Sequence, residues 1–168
     1  MRKIIFNKIK FINITEDEAN KIINKKGLFV FPAAPPLATL KSGSLYHNAL
    51  IKSDFVFFDS GFLVLLLNFL KGIKVEKFSG FRFLNIFFKN IKYHKNKKIF
   101  LIDPSKRVSK INKKYLKKLG IKKISSYVAP FYNINKIKDD FLIKKINKIK
   151  PNYILINIGG GTQEILGL

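Results

Sequence analysis

Two short segments combine side chains that can move protons or bind phosphate with the glycine turns that would expose them. An apolar run at residues 55–58 ends in an Asp-Ser-Gly turn at residues 59–61, and a strand-like run at residues 153–158 ends in Gly-Gly-Gly-Thr-Gln-Glu at residues 159–164. Both runs have the length and the β-branched or aromatic composition of buried strands. Ligands of open α/β sheets bind beyond the carboxyl ends of such strands. The sequence therefore predicts a ligand site at these two turns.

Asp59 is the candidate for proton transfer. Its neighbours Phe57, Phe58 and Phe62 would partly desolvate its carboxyl group, which raises the pKa and makes a better base near neutrality. A helix N-cap is the alternative, because Asp or Ser before an apolar helix satisfies free backbone N–H groups. The sequence leaves both roles open.

The glycines at residues 159–161 would let the backbone approach a phosphate or a sugar closely. Gln163 and Glu164 follow at once, so their polar ends would lie at the same edge. The alternative is an ordinary turn between a strand and a helix. We expect Asp59 and Gln163 to lie on the same edge of one sheet, at the carboxyl ends of their strands.

These two segments and a third one resemble, in order and spacing, the WecG/TagA/CpsF glycosyltransferase family. Ser53-Asp54 and the turn at residues 59–61 are similar to the "AD…DG" strand and turn of that family. Val-Glu-Lys-Phe-Ser-Gly at residues 75–80 is similar to its "ERVxG" segment, and residues 151–164 are similar to its "PD…GxPKQE" segment. The resemblance extends roughly over residues 27–164.

The resemblance implies an inverting, metal-independent sugar transferase with no cofactor. Its donor would be a UDP-N-acetylhexosamine of the N-acetylmannosamine type or a related uronic acid. Its acceptor would be a polyprenyl-diphosphate-linked sugar of cell-surface polysaccharide synthesis. Asp59 would be the base, and Lys77, unless it is only a solvated surface lysine, would stabilise the diphosphate. Donor contacts would come from Gly159, Gly160, Gly161, Gln163 and Glu164, the last of which has a helix-start role as its alternative.

Several positions depart from the family pattern. Ser60 stands where the family usually has Gly, Lys77 where it has Arg, and Gly161-Thr162 where it has Pro-Lys. Lysine keeps the charge but lacks the planar fork with which arginine grips a diphosphate. The family usually continues with an Arg-rich tail, whereas this chain stops four residues after Glu164. We therefore expect either a truncated chain or a tail supplied otherwise, and an inactive family member stays an alternative.

Composition narrows the remaining choices. A chain of 168 residues suggests a single glycosyltransferase-like domain over residues 1–168. The absence of cysteine excludes disulfides, zinc thiolate sites and thiol nucleophiles. His47 and His94 are isolated, so no metal-ligand set is evident, and no serine has the neighbours of a hydrolase triad. Nothing in the sequence indicates an oligomeric state.

The formal charge of +23, from 33 Lys and Arg against 10 Asp and Glu, favours anionic partners. The abundance of Lys, Asn, Ile and Phe would equally follow from the codon bias of an AT-rich genome. Arginine is scarce and the lysines are spread at helical intervals, so no specific nucleic acid is expected. No apolar run is long enough to span a bilayer, and the acceptor that the resemblance implies lies on the inner face of the cell membrane. We therefore expect a cytoplasmic protein bound peripherally to that face. The runner-up is a non-catalytic basic protein that binds RNA or anionic membranes.

Strand-like and helix-like segments alternate along the chain. Thr15 and Glu18 have the spacing of a capping box that opens the first helix. Further helices are expected at residues 44–51, 61–70, 82–92, 106–119 and 137–149, and strands at 28–31, near 55, and at 74–78, 98–102, 123–128 and 153–158. This alternation predicts a Rossmann-like α/β fold, with a mainly parallel sheet and helices on both faces.

Overall fold

The computed structural model describes residues 1–91, 96–134 and 136–168. It forms two compact units, one of Met1–Phe87 with Gly167–Leu168 and the other of Phe88–Leu166. Each unit contains its own sheet. His94 and Lys92, the end of one predicted helix, lie outside the described residues. The assignment of the chain to a single glycosyltransferase-like domain stays a prediction.

The first unit begins with a hairpin of strands β1 (Arg2–Phe6) and β2 (Ile9–Asn13). Asn7 and Lys8 join them, with φ angles of 48° and 63°, and two successive positive φ angles are the mark of a type I′ hairpin turn. This hairpin could not be predicted from the sequence, because Asn-Lys lacks the glycine that is usual in such a turn.

Strands β3 (Phe29–Val30) and β4 (Phe55–Phe57) complete a four-stranded sheet in the order β1-β2-β4-β3. Strand β4 runs parallel to both of its neighbours, while β1 is antiparallel at the edge. Stacked rings build the core, with Phe31 and Phe57 centred 4.7 Å apart and Phe29 and Phe55 4.3 Å apart. The sheet therefore holds β4 at its centre and its carboxyl end in a fixed position.

Five helices start in the described part of the first unit: α1 (Glu16–Ile22), α2 (Ala34–Ala38), α3 (Leu45–Lys52), α4 (Gly61–Leu70) and α5 (Gly80–Ile91). The predicted capping box is confirmed, since Thr15 and Glu18 each accept a hydrogen bond from the backbone N–H of the other. Helix α2, which contains Pro35 and Pro36, was not predicted from the sequence. Both prolines lie in its first turn, where no intrahelical N–H bond is lost.

The predicted strand at residues 74–78 is wrong. Asn68 binds the backbone of Val75 through both of its side-chain atoms, with Nδ2 3.1 Å from the carbonyl oxygen and Oδ1 2.8 Å from the nitrogen. The N–H of Glu76 donates to Asn13 Oδ1 at 3.1 Å. Side chains thus satisfy the polar backbone groups of this segment that a neighbouring strand would otherwise have to satisfy.

The second unit contains β5 (Lys98–Asp103), α6 (Lys106–Lys118), β6 (Lys123–Val128), α7 (Asp140–Ile149), β7 (Tyr153–Ile156) and all but the last residue of α8 (Thr162–Gly167). Its three strands are all parallel, in the order β6-β5-β7. Strand β5 is central and almost wholly buried. The carboxyl ends of the three strands therefore lie at one edge of the sheet.

Helices cover both faces of this sheet. On one face, Leu142 of α7 belongs to a buried cluster with Phe100 and Ile102 of β5. Because successive strand residues point to opposite faces, the equally buried Ile99 and Leu101 point to the other face. Connections between parallel strands are right-handed, and the steps from β5 to β6 and from β6 to β7 run in opposite directions, so α6 and α7 lie on opposite faces.

The prediction of an α/β fold with mainly parallel strands is confirmed. The prediction that Asp59 and Gln163 share one sheet is wrong, because β4 and β7 belong to different sheets. The physical reason is that β2 and β3 occupy both edges of β4, so β7 cannot pair with it. Strand β7 pairs with β5 instead.

Candidate active site

Asp59 follows the carboxyl end of β4, as the sequence predicted, but it does not cap the helix that comes next. Ser60 is the N-cap of α4, and its Oγ accepts a hydrogen bond from the N–H of Leu63 at 3.1 Å. The capping alternative for this turn therefore applies to Ser60. It leaves the Asp59 carboxylate available for another role.

The segment at residues 75–80 lies directly beside this turn. The N–H of Phe78 donates to the carbonyl oxygen of Phe58 at 2.9 Å, and the N–H of Gly80 donates to the Asp59 carboxylate. Lys77 lies over the start of α4, since a Cβ placed on Gly61 would be 4.0 Å from Lys77 Nζ. The structure thus joins two of the three segments that resemble the family.

The environment of Asp59 favours a proton acceptor. Burial raises the pKa of its carboxyl group above the ordinary aspartate value, while the positive charge of Lys77 and the Gly80 N–H act in the opposite direction. Burial prevails, so the pKa of Asp59 moves towards neutrality. Its side chain is only partly buried, and a partly exposed carboxylate of raised pKa can reach a substrate hydroxyl and take its proton.

Asp54, the other acidic residue of this segment, has a structural role. Its Oδ2 accepts a hydrogen bond from the N–H of Leu28 at 2.8 Å. Gly27 has a φ of 143°, and a Cβ there would lie 2.8 Å from the same oxygen, closer than van der Waals contact allows. The pair of Gly27 and Asp54 therefore ties the start of β3 to β4, which carries the candidate base.

The glycine turn in the second unit is organised by Glu164. Gly159 and Gly161 have φ angles of 105° and 88°, which non-glycine residues rarely adopt. Glu164 Oε2 accepts the Gly161 N–H at 2.6 Å, and Oε1 accepts the amide of Gln163 at 3.2 Å. Glu164 is 1% exposed, and burial raises the pKa of its carboxyl group. This geometry gives Glu164 the helix-start role that the sequence left open, with Gly159 and Gly160 exposed beside it.

A cleft of about 730 Å³ lies at the carboxyl edge of the second sheet. This volume is within the range of small-molecule sites, about 300–1,000 Å³. The cleft is lined by residues that follow β5, β6 and β7: Pro104, Ala129, Pro130, Phe131, Tyr132, Asn133, Ile134, Ile158 and Thr162. Its position agrees with the rule that predicted a ligand site beyond the strand ends.

Two tyrosines hold the loop that forms one wall of this cleft. The hydroxyls of Tyr127 and Tyr132 donate to Asp139 Oδ2 at 2.8 Å and 2.6 Å. Burial and the Asp139 carboxylate raise the pKa of Tyr127 to about 12. Burial alone would raise the pKa of Asp139, but the hydrogen bonds from Tyr132, Leu142 and Tyr127 lower it overall. The hydroxyls of these two tyrosines therefore make structural hydrogen bonds within the second unit.

Asp103 is a buried carboxylate that was not among the site residues predicted from the sequence. It is 0% exposed at the end of β5, and its Oδ1 accepts the side-chain amides of Asn112 at 2.7 Å and Asn157 at 3.0 Å. Within the described part of the chain, Oδ2 has no hydrogen-bond partner. Ser105 caps α6 through the N–H of Val108, which frees Asp103 from capping. The only sequence signal for this role was the presence of Asn112 and Asn157, which lie far apart in the sequence and form no recognisable motif with Asp103.

Other predicted features have a definite place. His47 is buried and structural, because its Nδ1 accepts the Gly43 N–H at 3.1 Å and its Nε2 donates to the carbonyl of Asn7 at 2.8 Å. Across residues 1–91, 96–134 and 136–168, no three His, Cys, Asp or Glu side chains form a metal-binding group. In the same residues, no helix has the length and apolar composition needed to cross a bilayer.

The structure describes an α/β protein with polar side chains at the carboxyl ends of parallel strands, which is the arrangement of enzymes with nucleotide or sugar substrates. The model of the glycosyl transferase WecG/TagA/CpsF family matches residues 4–167, so the chain belongs to this family. Membership makes the protein a transferase of the glycosyltransferase type. No curated protein matches the sequence significantly.

Replacing Asp103 should destabilise the fold. Asp103→Leu removes the acceptor of the Asn112 and Asn157 amides, and a hydrogen bond of this kind contributes about 0.5–1.5 kcal/mol to stability. Asp103→Asn keeps one acceptor oxygen and the side-chain shape, so we expect a smaller decrease in the free energy of unfolding. Urea unfolding at neutral pH measures both. Equal stability of wild type and Asp103→Leu would disprove the role of Asp103 in joining β5, α6 and β7.

Asp59→Asn should make the protein more stable at neutral pH. Because the folded-state pKa is raised, the folded protein binds the Asp59 proton more tightly than the unfolded chain does. The stability that the protonated Asp59 contributes is fully present below the pKa of Asp59 in the unfolded chain. This contribution is lost as the pH rises through the pKa of Asp59 in the folded protein. The gain from Asp59→Asn should therefore appear as the pH rises from 4 to 7 in urea unfolding. Asp17→Asn, in an exposed first turn, is the matched control, and a destabilised Asp59→Asn variant would contradict the raised pKa.

Proposed function

We propose that the protein moves an N-acetylhexosamine of the N-acetylmannosamine type from a UDP-sugar to a polyprenyl-diphosphate-linked sugar. The family supports glycosyl transfer, and the identities of donor and acceptor belong to the proposal. One positioned base is enough for a single displacement that inverts the anomeric carbon. The product would serve in the synthesis of cell-surface polysaccharide.

The observation that carries the proposal is the environment of Asp59. Its carboxylate is partly buried, has a raised pKa and lies beside the positive charge of Lys77. In the proposed reaction, Asp59 takes the proton of the acceptor hydroxyl as that oxygen attacks the donor sugar. Lys77 stabilises the negative charge of the departing diphosphate. Ser60 supports this role because it caps α4 and leaves the aspartate free.

The donor contacts are proposed for the glycine turn of the second unit. The backbone at Gly159, Gly160 and Gly161 would admit a phosphate or sugar, and Gln163 would add an amide. Glu164 would act mainly by positioning, since both of its oxygens are engaged by Gly161 and Gln163. The cleft beside this turn has the size to take part of the nucleotide.

The lipid-linked acceptor implies work at a membrane. We propose that the protein acts in the cytoplasm, bound peripherally to the inner face of the cell membrane. The charge of +23 supports attraction to anionic lipids, each nearby lysine contributing about 1 kcal/mol. Acceptor and enzyme would then meet at the surface where the acceptor diphosphate lies.

A second candidate, a non-catalytic protein that binds RNA or an anionic membrane, draws support from α6. This helix has Lys or Arg at more than half of its 13 positions, and its first turn has no acidic residue. A basic helix of this kind binds anionic surfaces without any chemistry. Transfer activity separates the candidates, because only the enzyme turns over a sugar donor.

Asp59→Asn should abolish transfer and leave donor binding nearly unchanged. Asparagine has the shape of aspartate but cannot take a proton at neutral pH, and loss of a general base costs roughly 10²–10⁴-fold in rate. The measurements are transfer to a lipid-diphosphate acceptor and donor affinity by calorimetry. Asp17→Asn is the control for removal of a carboxylate elsewhere. Normal turnover by Asp59→Asn would remove Asp59 from the role of base.

The protein should bind anionic membranes in a salt-dependent manner. Lysine contacts are screened within the Debye length, which falls from about 10 Å at 0.1 M salt to about 3 Å at 1 M. Co-sedimentation with liposomes of increasing anionic lipid content, repeated across this salt range, measures the effect. Equal binding to neutral and anionic liposomes, or no binding to either, would contradict an electrostatic contribution and make codon bias the better explanation of the charge.

A further inference from the structure

Helix α4 exposes an apolar face where a surface helix normally carries polar residues. Leu63, Val64 and Leu67 of this helix are buried against the first unit. On the opposite side, Phe62 is 66%, Leu65 65% and Phe69 91% exposed. The spacing of three and then four residues places these three side chains on one face of the helix. We call Phe62, Leu65 and Phe69 the α4 outer face.

The charged side chains within residues 61–75 are positive, and the acidic Asp59 and Glu76 lie just outside this range. Between residues 61 and 75 the only charged side chains are Lys71 and Lys74. Lys71 lies just beyond the end of α4, with its Nζ 5.7 Å from the centre of the Phe6 ring. Lys77 lies at the other end, over Gly61. Exposed apolar side chains with lysines nearby can combine apolar burial with electrostatic attraction to anionic lipids.

The charge also argues against a second copy of the chain as the occupant of this face. Two copies would each bring a formal charge of +23, and like charges oppose close approach. An anionic bilayer provides both an apolar layer for Phe62, Leu65 and Phe69 and negative headgroups for the lysines. Exposed apolar patches of this kind mark sites of interaction with proteins or membranes.

We propose that the α4 outer face inserts into the interface of an anionic membrane and docks the first unit there. Ser60, the N-cap of α4, directly follows Asp59. Docking through α4 would hold the candidate base within about one helical turn, roughly 5 Å, of the inserted Phe62. The relation to a lipid-linked acceptor rests on the proposed function, whereas the docking itself does not.

The absence of tryptophan from the chain allows a direct test of insertion. Phe69→Trp should show a blue-shifted emission on vesicles that contain anionic lipid, and brominated lipids should quench it. Phe141→Trp, on α7 and 66% exposed, is the matched control and should respond to neither. If the full chain sediments with the vesicles while Phe69→Trp emission is unchanged, another surface binds the membrane and the proposal is overturned. Equal responses of both variants would overturn it as well.

A triple variant tests the contribution of the face to binding. Phe62→Ser, Leu65→Ser and Phe69→Ser together should lower vesicle binding at about 1 M salt, where charge is screened, by about tenfold or more. Ile111→Ser, Phe141→Ser and Ile143→Ser, all exposed in the second unit, form the matched control and should bind like wild type. Unchanged binding of the first triple variant would overturn the proposal.

Self-association is distinguished by sedimentation without vesicles. The proposal requires wild type and the α4 triple variant to have the same mass in solution. If wild type forms a larger assembly and the α4 triple variant does not, the α4 outer face binds a second copy of the chain and the proposal is overturned. Donor calorimetry separates this proposal from the transferase proposal. If Phe69→Trp reports insertion of α4 but wild type binds no UDP-sugar, only the proposed transfer from a UDP-sugar is refuted. If wild type transfers sugar to a water-soluble acceptor but Phe69→Trp reports no insertion of α4, only the docking proposal is refuted.

Discussion

A backbone hydrogen bond joins the two segments that form the candidate catalytic centre. The N–H of Phe78 donates to the carbonyl of Phe58, and it thereby joins the turn that carries Asp59 to the segment that carries Lys77. Strand β4 positions the first of these segments, because β2 and β3 occupy both of its edges. The second segment is not a strand and is held by this bond and by the side chains of Asn68 and Asn13. The chemistry proposed for Asp59 therefore depends on contacts outside any sheet ladder.

The Asp59 environment shows how three opposing influences combine at one carboxylate. Burial raises its pKa, while Lys77 and the Gly80 N–H lower it. A lysine suits this balance, because its ammonium is a compact point charge without the forked geometry of arginine. Lys77, where the family pattern has arginine, thus keeps the positive charge but cannot make two parallel hydrogen bonds to a diphosphate. Recognition of a diphosphate would then rely more on the backbone than on this side chain.

Local signals in the sequence predicted the helices and strands whose ends are marked by specific residues. The capping box at Thr15, the helix predicted from residue 44 and the strand predicted at residues 123–128 agree with the structure. The division of the strands between two sheets was not predictable, because an apolar run does not reveal which strand becomes its neighbour. The β1-β2 hairpin was missed for a different reason, since its turn uses positive φ angles at Asn7 and Lys8 without a glycine. The Asp103 contacts join residues distant in sequence and left no local pattern.

Burial alone does not identify a catalytic carboxylate in this protein. The pKa values of Asp59 and Glu164 are both raised by burial, yet their surroundings differ. Both Glu164 oxygens accept hydrogen bonds within the glycine turn, and the side chain is 1% exposed. A base must exchange a proton with its substrate, so a fully engaged and enclosed carboxylate can orient a turn but cannot reach an acceptor hydroxyl. Asp59 combines the raised pKa with an open side, and this combination distinguishes the proposed base from a structural acid.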